Sequence, residues 1–286
     1  MYKKIVAGTD LSHTAKVATD RASALASRIG ADLVLVHAGS DPGAAFDELA
    51  ESYGADHVVK PGNPAEVLIS EAERAGADLL VVGSVGMSGA RRFLLGSVPN
   101  KVSHHAPTDL LIVKTDPPRD QPGEYRRILV GTDGSPTAMR AVDMASSFAK
   151  ELGIEPIIVT AYQPPTEQEL KVMRADPSDP VAQWSAGKTS RETPEEFRWR
   201  IADAATARDV VDRAAQHAAK QGVDTDVRAL EGHPADTLIH IAESEDVHLI
   251  AVGSVGMSGT KRFMLGNVPH RISHHAPTDL LILRTA

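Results

Sequence analysis

The sequence predicts an α/β protein built from two similar domains, each an open sheet of five parallel strands with helices on both faces. Two observations predict this fold. Short apolar runs alternate with longer stretches of helical periodicity, which is the order expected when parallel strands are linked by helices. The chain also repeats itself, since residues 83–115 and 253–285 are identical at 24 of 33 positions. The same fold is therefore expected twice.

Each repeat begins with a short strand that leads to an aspartate. The segments KKIVAGTDLS and RRILVGTDGS match near the start of each repeat. Their apolar runs at 5–8 and 128–131 predict parallel strands that are buried on both faces. Asp10 and Asp133 then lie just past the carboxyl ends of these strands.

A helix and two further strands follow in each repeat. Apolar residues recur at steps of three and four before Gly30 and Gly153, two glycines placed where a helix is expected to end. Apolar runs then predict second and third strands, at 33–37 and 57–60 in the first repeat and at 157–161 and 227–230 in the second.

The remaining elements lead to a glycine-rich segment. Pro64 and Pro234 suit the first turn of the next helices. The fourth strands then run directly into the glycine-rich segments, and a fifth strand closes each repeat. These strands are predicted at 79–83 and 110–113, and at 249–253 and 280–283.

The spacing between matching motifs divides the chain into domains. The repeats are offset by 123 residues at the aspartates and by 170 at the glycine-rich segments, so the second contains about 47 additional residues. Most of this insertion falls at about 163–200. The stretch DPPRDQPGE at 116–124 is typical of a linker. The predicted domains are 1–115 and 125–286.

Composition excludes several classes of function. The 286 residues give room for two domains with separate cores, and the absence of cysteine excludes disulfides, thiolate metal sites and cysteine nucleophiles. A net charge of −8 argues against binding along a nucleic-acid backbone. The apolar stretch after Lys3 and Lys4 is too short for a signal peptide, and no later run reaches membrane-spanning length. We expect a cytoplasmic protein without nucleic-acid or membrane partners.

The glycine-rich segments share the spacing G-2x-G-9x-G, followed by a polar residue. Their members are Gly83, Gly86, Gly96 and Ser97, and in the copy Gly253, Gly256, Gly266 and Asn267. Glycine permits positive φ and a close approach of the backbone to a ligand. The last glycine also opens a short helix, whose free amides attract phosphate oxygens. The spacing indicates phosphate binding, and the alternative is that the glycines only make tight turns.

Two other phosphate motifs are excluded. The segment lacks the Gly-Lys-Ser/Thr of a Walker motif, and the dinucleotide fingerprint G-x-G-x-x-G belongs after the first strand rather than the fourth. In an open parallel sheet, ligands bind beyond the carboxyl ends of the strands where the strand order reverses. The aspartates and the glycine-rich segments both lie at such ends.

Together with the strand-end aspartates and the Val-Pro that follows, this spacing resembles the ATP-binding subgroup of the universal stress protein family. The resemblance covers nearly the whole chain outside 163–200 and implies an adenine nucleotide alpha hydrolase-like, Rossmann-like fold. It implies that the glycines and the hydroxyl residue hold the phosphates of ATP, with the aspartate beside the ribose and a metal. The residues implicated in ATP binding are Asp10, Gly83, Gly86, Gly96, Ser97 and Val98, and Asp133, Gly253, Gly256, Gly266, Asn267 and Val268.

The two implied sites are not identical. Asn267 replaces the hydroxyl residue of the second motif, although an asparagine can still donate a hydrogen bond. In the family the chain after the second strand walls the adenine, and this segment is short in the first repeat, between Ala38 and His57. The resemblance thus implies two ATP sites of unequal affinity, with Mg²⁺, where it is bound, near Asp10 and Asp133.

The resemblance implies a regulator in stress response or dormancy rather than an enzyme. No Ser-His or Cys-His pattern accompanies Asp10, so we predict no catalytic residue and at most slow ATP hydrolysis. Two alternatives remain: a nucleotide-free interaction scaffold, and a nucleotide-activating enzyme of a related fold. Because the family often dimerises, the repeats are expected to pair as an internal pseudo-dimer, and the chain to form a homodimer.

The paired histidines His104-His105 and His274-His275 invite a metal interpretation. Neighbouring residues on a helix point about 100° apart, so they do not share the face that residues i and i+4 do. Placement at a helix C-terminus, where the dipole favours positive charge, explains them more simply. We predict no metal site from the protein alone.

Overall fold

The computed structural model describes residues 2–85, 95–115, 125–163, 203–254 and 265–285. The elements of the first half are β1 (Lys4–Thr9), α1 (His13–Ile29), β2 (Asp32–Ala38), α2 (Ala44–Tyr53), β3 (Asp56–Lys60), α3 (Pro64–Ala75), β4 (Leu79–Gly83), α4 (Ser97–His105) and β5 (Asp109–Val113). Those of the second half are β6 (Ile128–Gly131), α5 (Pro136–Leu152), β7 (Ile157–Tyr162), α6 (Ala204–Lys220), β8 (Asp226–Glu231), α7 (Pro234–Ser244), β9 (Leu249–Gly253), α8 (Asn267–His275) and β10 (Asp279–Leu283).

The predicted α/β class is confirmed, and the two five-stranded sheets join into one. The strand order is β3-β2-β1-β4-β5-β10-β9-β6-β7-β8. Within each half every pairing is parallel, whereas β5 and β10 pair antiparallel, with Ile112 opposite Leu280 and Leu110 opposite Ile282. The halves therefore meet through their last strands, in the manner expected of an internal pseudo-dimer.

The first helix of each half begins and ends by the same local chemistry. Ser12 and Ser135 cap α1 and α5, each hydroxyl accepting a hydrogen bond from the backbone amide three residues later. Gly30 and Gly153 end these helices in the left-handed region, at φ values of 69° and 66°. The glycines thus end the helices as the sequence predicts.

The core lies on both faces of the sheet and is packed mainly with aliphatic side chains. Strands β5 and β10 at the junction are buried along their whole length. Alanines of α1 and α5 pack closely on one face, and leucines and valines of α3 and α7 pack on the other. This rigid sheet fixes the carboxyl ends of the strands, where the predicted ligand site lies.

The segment that follows β2 differs from expectation. It contains helix α2, which the sequence reading does not predict, and it is anchored by Phe46 and Ala50, each 1% exposed. The predicted linker at 116–124 lies outside the described residues. Residues 164–200 of the predicted insertion also lie outside them.

Candidate functional site

The predicted site residues lie where the strand order of each half reverses. Strand β1 lies between β2 and β4. The chain runs from β1 to β2 and β3 on one side of β1, and it then crosses to β4 and β5 on the other side. Ala7 of β1 pairs with Val81 of β4. Asp10 and Gly83 therefore lie at the same edge of the sheet, and β6 and β9 bring Asp133 and Gly253 together in the same way. Such an edge is the usual ligand position in doubly wound sheets.

Asp10 closes a tight turn between β1 and α1. Its Oδ1 accepts a hydrogen bond from the Ser12 amide at 3.0 Å, and the Thr9 hydroxyl accepts one from the Leu11 amide at 3.1 Å. Leu11 adopts a φ of 62°, which is unusual for a residue with a branched side chain. A non-glycine residue in this region is often held by a functional constraint.

The corresponding turn of the second half has the same hydrogen bonds and a glycine in place of leucine. Asp133 Oδ1 accepts from the Ser135 amide at 3.0 Å, and the Thr132 hydroxyl accepts from the Gly134 amide at 3.2 Å. Gly134 has a φ of 76°, and a Cβ atom there would lie 2.7 Å from Val210 of α6. Glycine is required here by both the backbone angle and the packing of α6.

The described part of each glycine-rich segment folds back on itself. The Ser84 amide donates to the Val113 carbonyl at 2.8 Å, and the Gly96 amide donates to the Ser84 carbonyl at 2.8 Å. A Cβ atom on Gly96 would lie 3.4 Å from this carbonyl oxygen. Gly266 makes the same bond to Ser254 at 2.9 Å.

The backbone angles of the last glycine in each segment differ from those expected. Their φ values are −62° at Gly96 and −63° at Gly266, so the expected positive φ is wrong at these two positions. A Cβ atom at Gly96 or Gly266 would lie 3.4 or 3.5 Å from the facing carbonyl oxygen, an ordinary contact, so the short separation of the two backbone segments suits glycine without requiring it. Gly86 and Gly256 lie outside the described residues.

Helices α4 and α8 begin at this edge with uncapped amides. Gly96 and Gly266 are their N-cap residues, and among the residues that the structure describes no side chain caps either helix. The first helical hydrogen bonds run from Asn100 to Gly96 and from His270 to Gly266, each at 3.0 Å. The amides before them belong to Ser97 and Val98 in one half and Asn267 and Val268 in the other, since the next residues are prolines without an N–H. Two amides with the positive end of a helix dipole form an anion-binding arrangement in each half.

The two halves differ beside the strand-one turn. In the first half the His37 ring hydrogen-bonds the Thr9 carbonyl oxygen through Nδ1 at 3.0 Å, and its centroid lies 5.9 Å from that of Phe46. Phe46 in turn lies 5.2 Å from His57. In the second half the Thr160 hydroxyl donates to the Thr132 carbonyl instead. Sequence reasoning missed His37 and Phe46, although the spacing of Phe46 and Ala50 on an amphipathic segment was a signal for α2.

The histidines of α4 and α8 meet across the junction between the halves. The His270 ring lies 6.3 Å from His104 and 4.8 Å from His274. Burial lowers the pKa of both His104 and His274, and the neighbouring cations lower it further. Within the described ranges no cluster of three or more metal-ligating side chains occurs. The histidine pairs are the last residues of their helices, and His104 contacts the second half through the His270 ring and the Leu265 amide.

The described residues also include no helix that is both apolar and long enough to cross a bilayer.

Comparisons with known proteins agree with this architecture. The model of the universal stress protein family matches residues 1–57, 45–114 and 124–284. Universal stress protein Rv1636 of Mycobacterium tuberculosis H37Rv is 31% identical over 162 residues, which cover 56% of this chain and 97% of that protein.

Two solved structures resemble the whole chain. A universal stress protein from Archaeoglobus fulgidus has a TM-score of 0.64 at 17% identity, covering 99% of this chain and 98% of that one. A functionally unknown protein, PA1789 from Pseudomonas aeruginosa PAO1, has a TM-score of 0.68 at 16% identity, covering 99% and 93% of the two chains. The fold is thus shared over both halves, and because the family model matches most of the sequence, this chain belongs to the universal stress protein family.

Proposed function

We propose that the protein binds ATP at the carboxyl edge of its sheet, once in each half, and acts as a regulator of stress response or dormancy. One observation carries the proposal. In each half the N-terminus of a short helix, without a side-chain cap among the described residues, lies at the same edge of the sheet as a strand-end aspartate. The strand order reverses at this edge, between β1 and β4 in the first half and between β6 and β9 in the second. This arrangement supplies donors for phosphate oxygens and an acceptor for the hydroxyl groups or metal of a nucleotide.

The proposed contacts follow from the local chemistry. In the first half the amides of Ser97 and Val98 and the Ser97 hydroxyl bind phosphate oxygens. In the second half the amides of Asn267 and Val268 and the Asn267 side chain do so. Gly83, Gly86 and Gly96, and their counterparts Gly253, Gly256 and Gly266, let the backbone approach the ligand. Asp10 and Asp133 face the ribose.

A magnesium ion fits this scheme only as a companion of the phosphates. Mg²⁺ commonly binds through one or two carboxylates, phosphate oxygens and water, and does not need a cage made of protein alone. Each half offers one aspartate at the edge, Asp10 or Asp133, and the described residues contain no group of three metal-ligating side chains. The ion would neutralise phosphate charge, and the aspartate would orient it.

We propose that the two sites differ in affinity. The first has the Ser97 hydroxyl and, beside its strand-one turn, the partly exposed ring of His37, which is tilted against the buried Phe46. The second has Asn267 and is bordered by α6, which packs against Gly134. A planar base stacks on aromatic rings more favourably than on aliphatic side chains. The first half is therefore proposed to be the tighter site.

Titration calorimetry with ATP, with and without Mg²⁺, tests the proposal. Two binding events of different affinity are expected, and mass spectrometry of the protein as purified should find up to two ATP molecules per chain. The matched variants Gly96→Val and Gly266→Val place a branched side chain against the turn beside each helix N-terminus. Each should remove one event and leave the other. Absence of binding heat at millimolar ATP would contradict the proposal and favour the nucleotide-free scaffold.

The remaining parts of the proposal concern turnover and assembly. We propose at most slow hydrolysis of ATP, and rapid conversion of ATP to AMP with an acceptor would favour the nucleotide-activating enzyme instead. We also propose that 1–115 and 125–286 are two tandem domains, joined by a linker at 116–124 and through their shared sheet, and that two chains form a homodimer. Light scattering of the purified protein measures the mass of the assembly and tests the homodimer.

A further inference from the structure

The amino ends of the strands, at the edge opposite the proposed nucleotide sites, contain two matching buried aspartates. Asp109 begins β5, and Asp279 begins β10. The Tyr2 hydroxyl donates to Asp109 at 2.8 Å, and the Tyr125 hydroxyl donates to Asp279 at 2.8 Å. The other oxygen of each aspartate accepts a backbone amide from the opposite half, from Arg284 at 2.7 Å or from Lys114 at 2.9 Å. The backbone and tyrosine contacts of the two aspartates are thus the same.

A second pair of contacts is also matched. The Arg284 side chain donates to the Ser103 carbonyl at 2.8 Å, and the Lys114 side chain donates to the Ser273 carbonyl at 2.8 Å. Each aspartate therefore has one cation from the opposite half nearby, tethered to the end of a helix. Any difference between the surroundings of Asp109 and those of Asp279 must therefore come from other side chains.

The aspartates differ in whether an arginine from the neighbouring helix reaches them. Arg21 of α1 forms an ion pair with Asp279, with Nε 3.2 Å from Oδ2, and its guanidinium lies 5.0 Å from the centre of the Tyr125 ring. Both side chains are buried, at 7% and 5% exposure. The repeat offset of 123 residues aligns Arg21 with Met144 of α5. Asp109 therefore has no aligned arginine.

In the other half the shorter, uncharged Met144 takes the place of Arg21 and packs against the core, and an open cleft lies beside it. A cavity of about 760 Å³ lies beside Asp109, and its lining includes Tyr2, Asp78, Asp143, Met144 and Glu151. Two further aligned positions change charge in the same direction, because Arg28 corresponds to Glu151 and His248 corresponds to Asp78. The cleft beside Asp109 is thus more acidic than the aligned positions of the other half, although the Arg284 cation also lines it.

The acidic groups of the cleft already have partners within the protein. The Asp78 carboxylate accepts the amides of Lys3 and Lys4 at 2.7 and 3.0 Å, and Asp143 pairs with His217 at 2.9 Å. Asp109 is 5% exposed, and burial raises its pKa to about 6. A cation placed beside such a buried carboxylate favours its charged form.

We propose that the cleft beside Asp109 binds a small guanidinium compound, whose cation takes the position that the Arg21 guanidinium holds beside Asp279. The equivalent place in the same molecule is the template, since there the protein supplies a guanidinium to an aspartate and a tyrosine ring of the same geometry. Planar guanidinium matches a carboxylate and an aromatic face together, which a compact ammonium does less well. The site is independent of the proposed nucleotide sites, which lie at the opposite edge of the sheet.

Calorimetric titration at pH 7.5 with methylguanidinium chloride tests this proposal. Methylurea is the neutral probe of the same shape, and sodium chloride controls for ionic strength. Millimolar methylguanidinium should bind the full-length protein, and methylurea should not. Met144→Leu keeps an uncharged side chain of similar size and should retain binding. Met144→Arg supplies the missing guanidinium and should weaken binding at least about tenfold, because the place is then filled.

Asp109→Asn is the second variant, and it should also lose binding of the probe. Circular dichroism shows whether this variant folds, and if it does not, Met144→Arg decides alone because it leaves Asp109 in place. Equal binding of methylguanidinium to the original protein and to Met144→Arg would overturn the proposal. Binding of methylurea as strong as that of methylguanidinium would overturn it as well, since no cation would then be needed.

Discussion

The two halves share the hydrogen-bonded framework of their turns and of their junction, and they differ in the side chains around it. The strand-one turns have matching hydrogen bonds, the helices that follow them end at glycines with φ within a few degrees of each other, and the buried aspartates have the same tyrosine partners. By contrast, Arg21 corresponds to Met144, and Leu11 corresponds to Gly134. The repeat has thus kept the hydrogen bonds that define the fold while the contacts at the junction and beside the proposed sites have diverged.

The buried aspartates show what such a difference does. Asp279 has the Arg21 guanidinium as an ion-pair partner, which compensates for the water that the carboxylate loses on burial. At Asp109 burial instead raises the pKa to about 6. The same backbone position thus holds a paired carboxylate in one half and a carboxylate that is costly to ionise in the other.

The largest expected effect is the loss of the buried ion pair. Arg21→Met makes the surroundings of Asp279 resemble those of Asp109. It should lower the free energy of unfolding by about 3 kcal/mol at pH 7.5, because the buried Asp279 carboxylate is left without the guanidinium that pairs with it. Urea unfolding followed by circular dichroism measures this. Arg28→Met is the control, since Arg28 is exposed and makes a hydrogen bond to the Leu152 carbonyl, so a loss near 1 kcal/mol or less is expected. Equal losses in both variants would contradict the comparison.

The converse change should depend on pH. Because the pKa of Asp109 is raised from 3.8 to about 6, the native state keeps a proton between these values that the unfolded state has lost. Stability therefore falls as the pH rises from about 4 to 6, by up to about 3 kcal/mol. Met144→Arg should lower this pKa and stabilise the protein by about 2 kcal/mol at pH 7.5, with little effect at pH 4.

Urea unfolding of Met144→Arg at both pH values checks this expectation, with Met144→Leu as the variant of unchanged charge. Arginine partners lower the pKa values of Glu71 and Glu245, so protonation of these two side chains in acid destabilises the protein in every variant. Only the difference in stability between variants is therefore informative. A gain from Met144→Arg that is the same at pH 4 and pH 7.5 would show that it does not come from Asp109.

A smaller effect is expected at the turn after β6. Gly134→Ala should cost about 2 kcal/mol, because the new Cβ would lie 2.7 Å from Val210 and the φ of 76° disfavours alanine. Gly153→Ala is a matched control, with a similar φ of 66° but no atom within 4 Å of the new Cβ, so only the backbone part of the loss, about 1 kcal/mol, should remain. Chemical denaturation of both variants separates packing from backbone strain. Equal losses of stability in Gly134→Ala and Gly153→Ala would show that Val210 of α6 does not pack against this turn in solution.

The sequence was sufficient for most of the secondary structure. The strands β4, β6 and β9 have the predicted bounds, and the others extend by one residue at one end or at both. Long apolar runs, capping serines and helix-ending glycines are local signals, and the repeat doubled each of them. The order of the strands was not among the predictions, although right-handed crossovers leave few alternatives for this alternation of strands and helices.

The features that the sequence did not predict depend on contacts between distant residues. Helix α2 is short, and burial of Phe46 stabilises it more than local propensity does. The pairing of β5 with β10 joins segments about 170 residues apart. The cleft at Met144 becomes visible only when the two halves are superimposed, because a single methionine on an apolar helix face is otherwise an ordinary core residue.

The smallest expected effect concerns the proposed nucleotide sites. Exchanging Ser97→Asn and Asn267→Ser should weaken the first site and strengthen the second by less than about fivefold each, because both side chains can donate one hydrogen bond to a phosphate oxygen. Calorimetry of the double variant with ATP measures both sites at once. If the two affinities become equal, the hydroxyl residue accounts for the proposed inequality. If they stay apart, the difference lies on the base side, where the His37 ring is tilted against Phe46 in one half and α6 packs against Gly134 in the other.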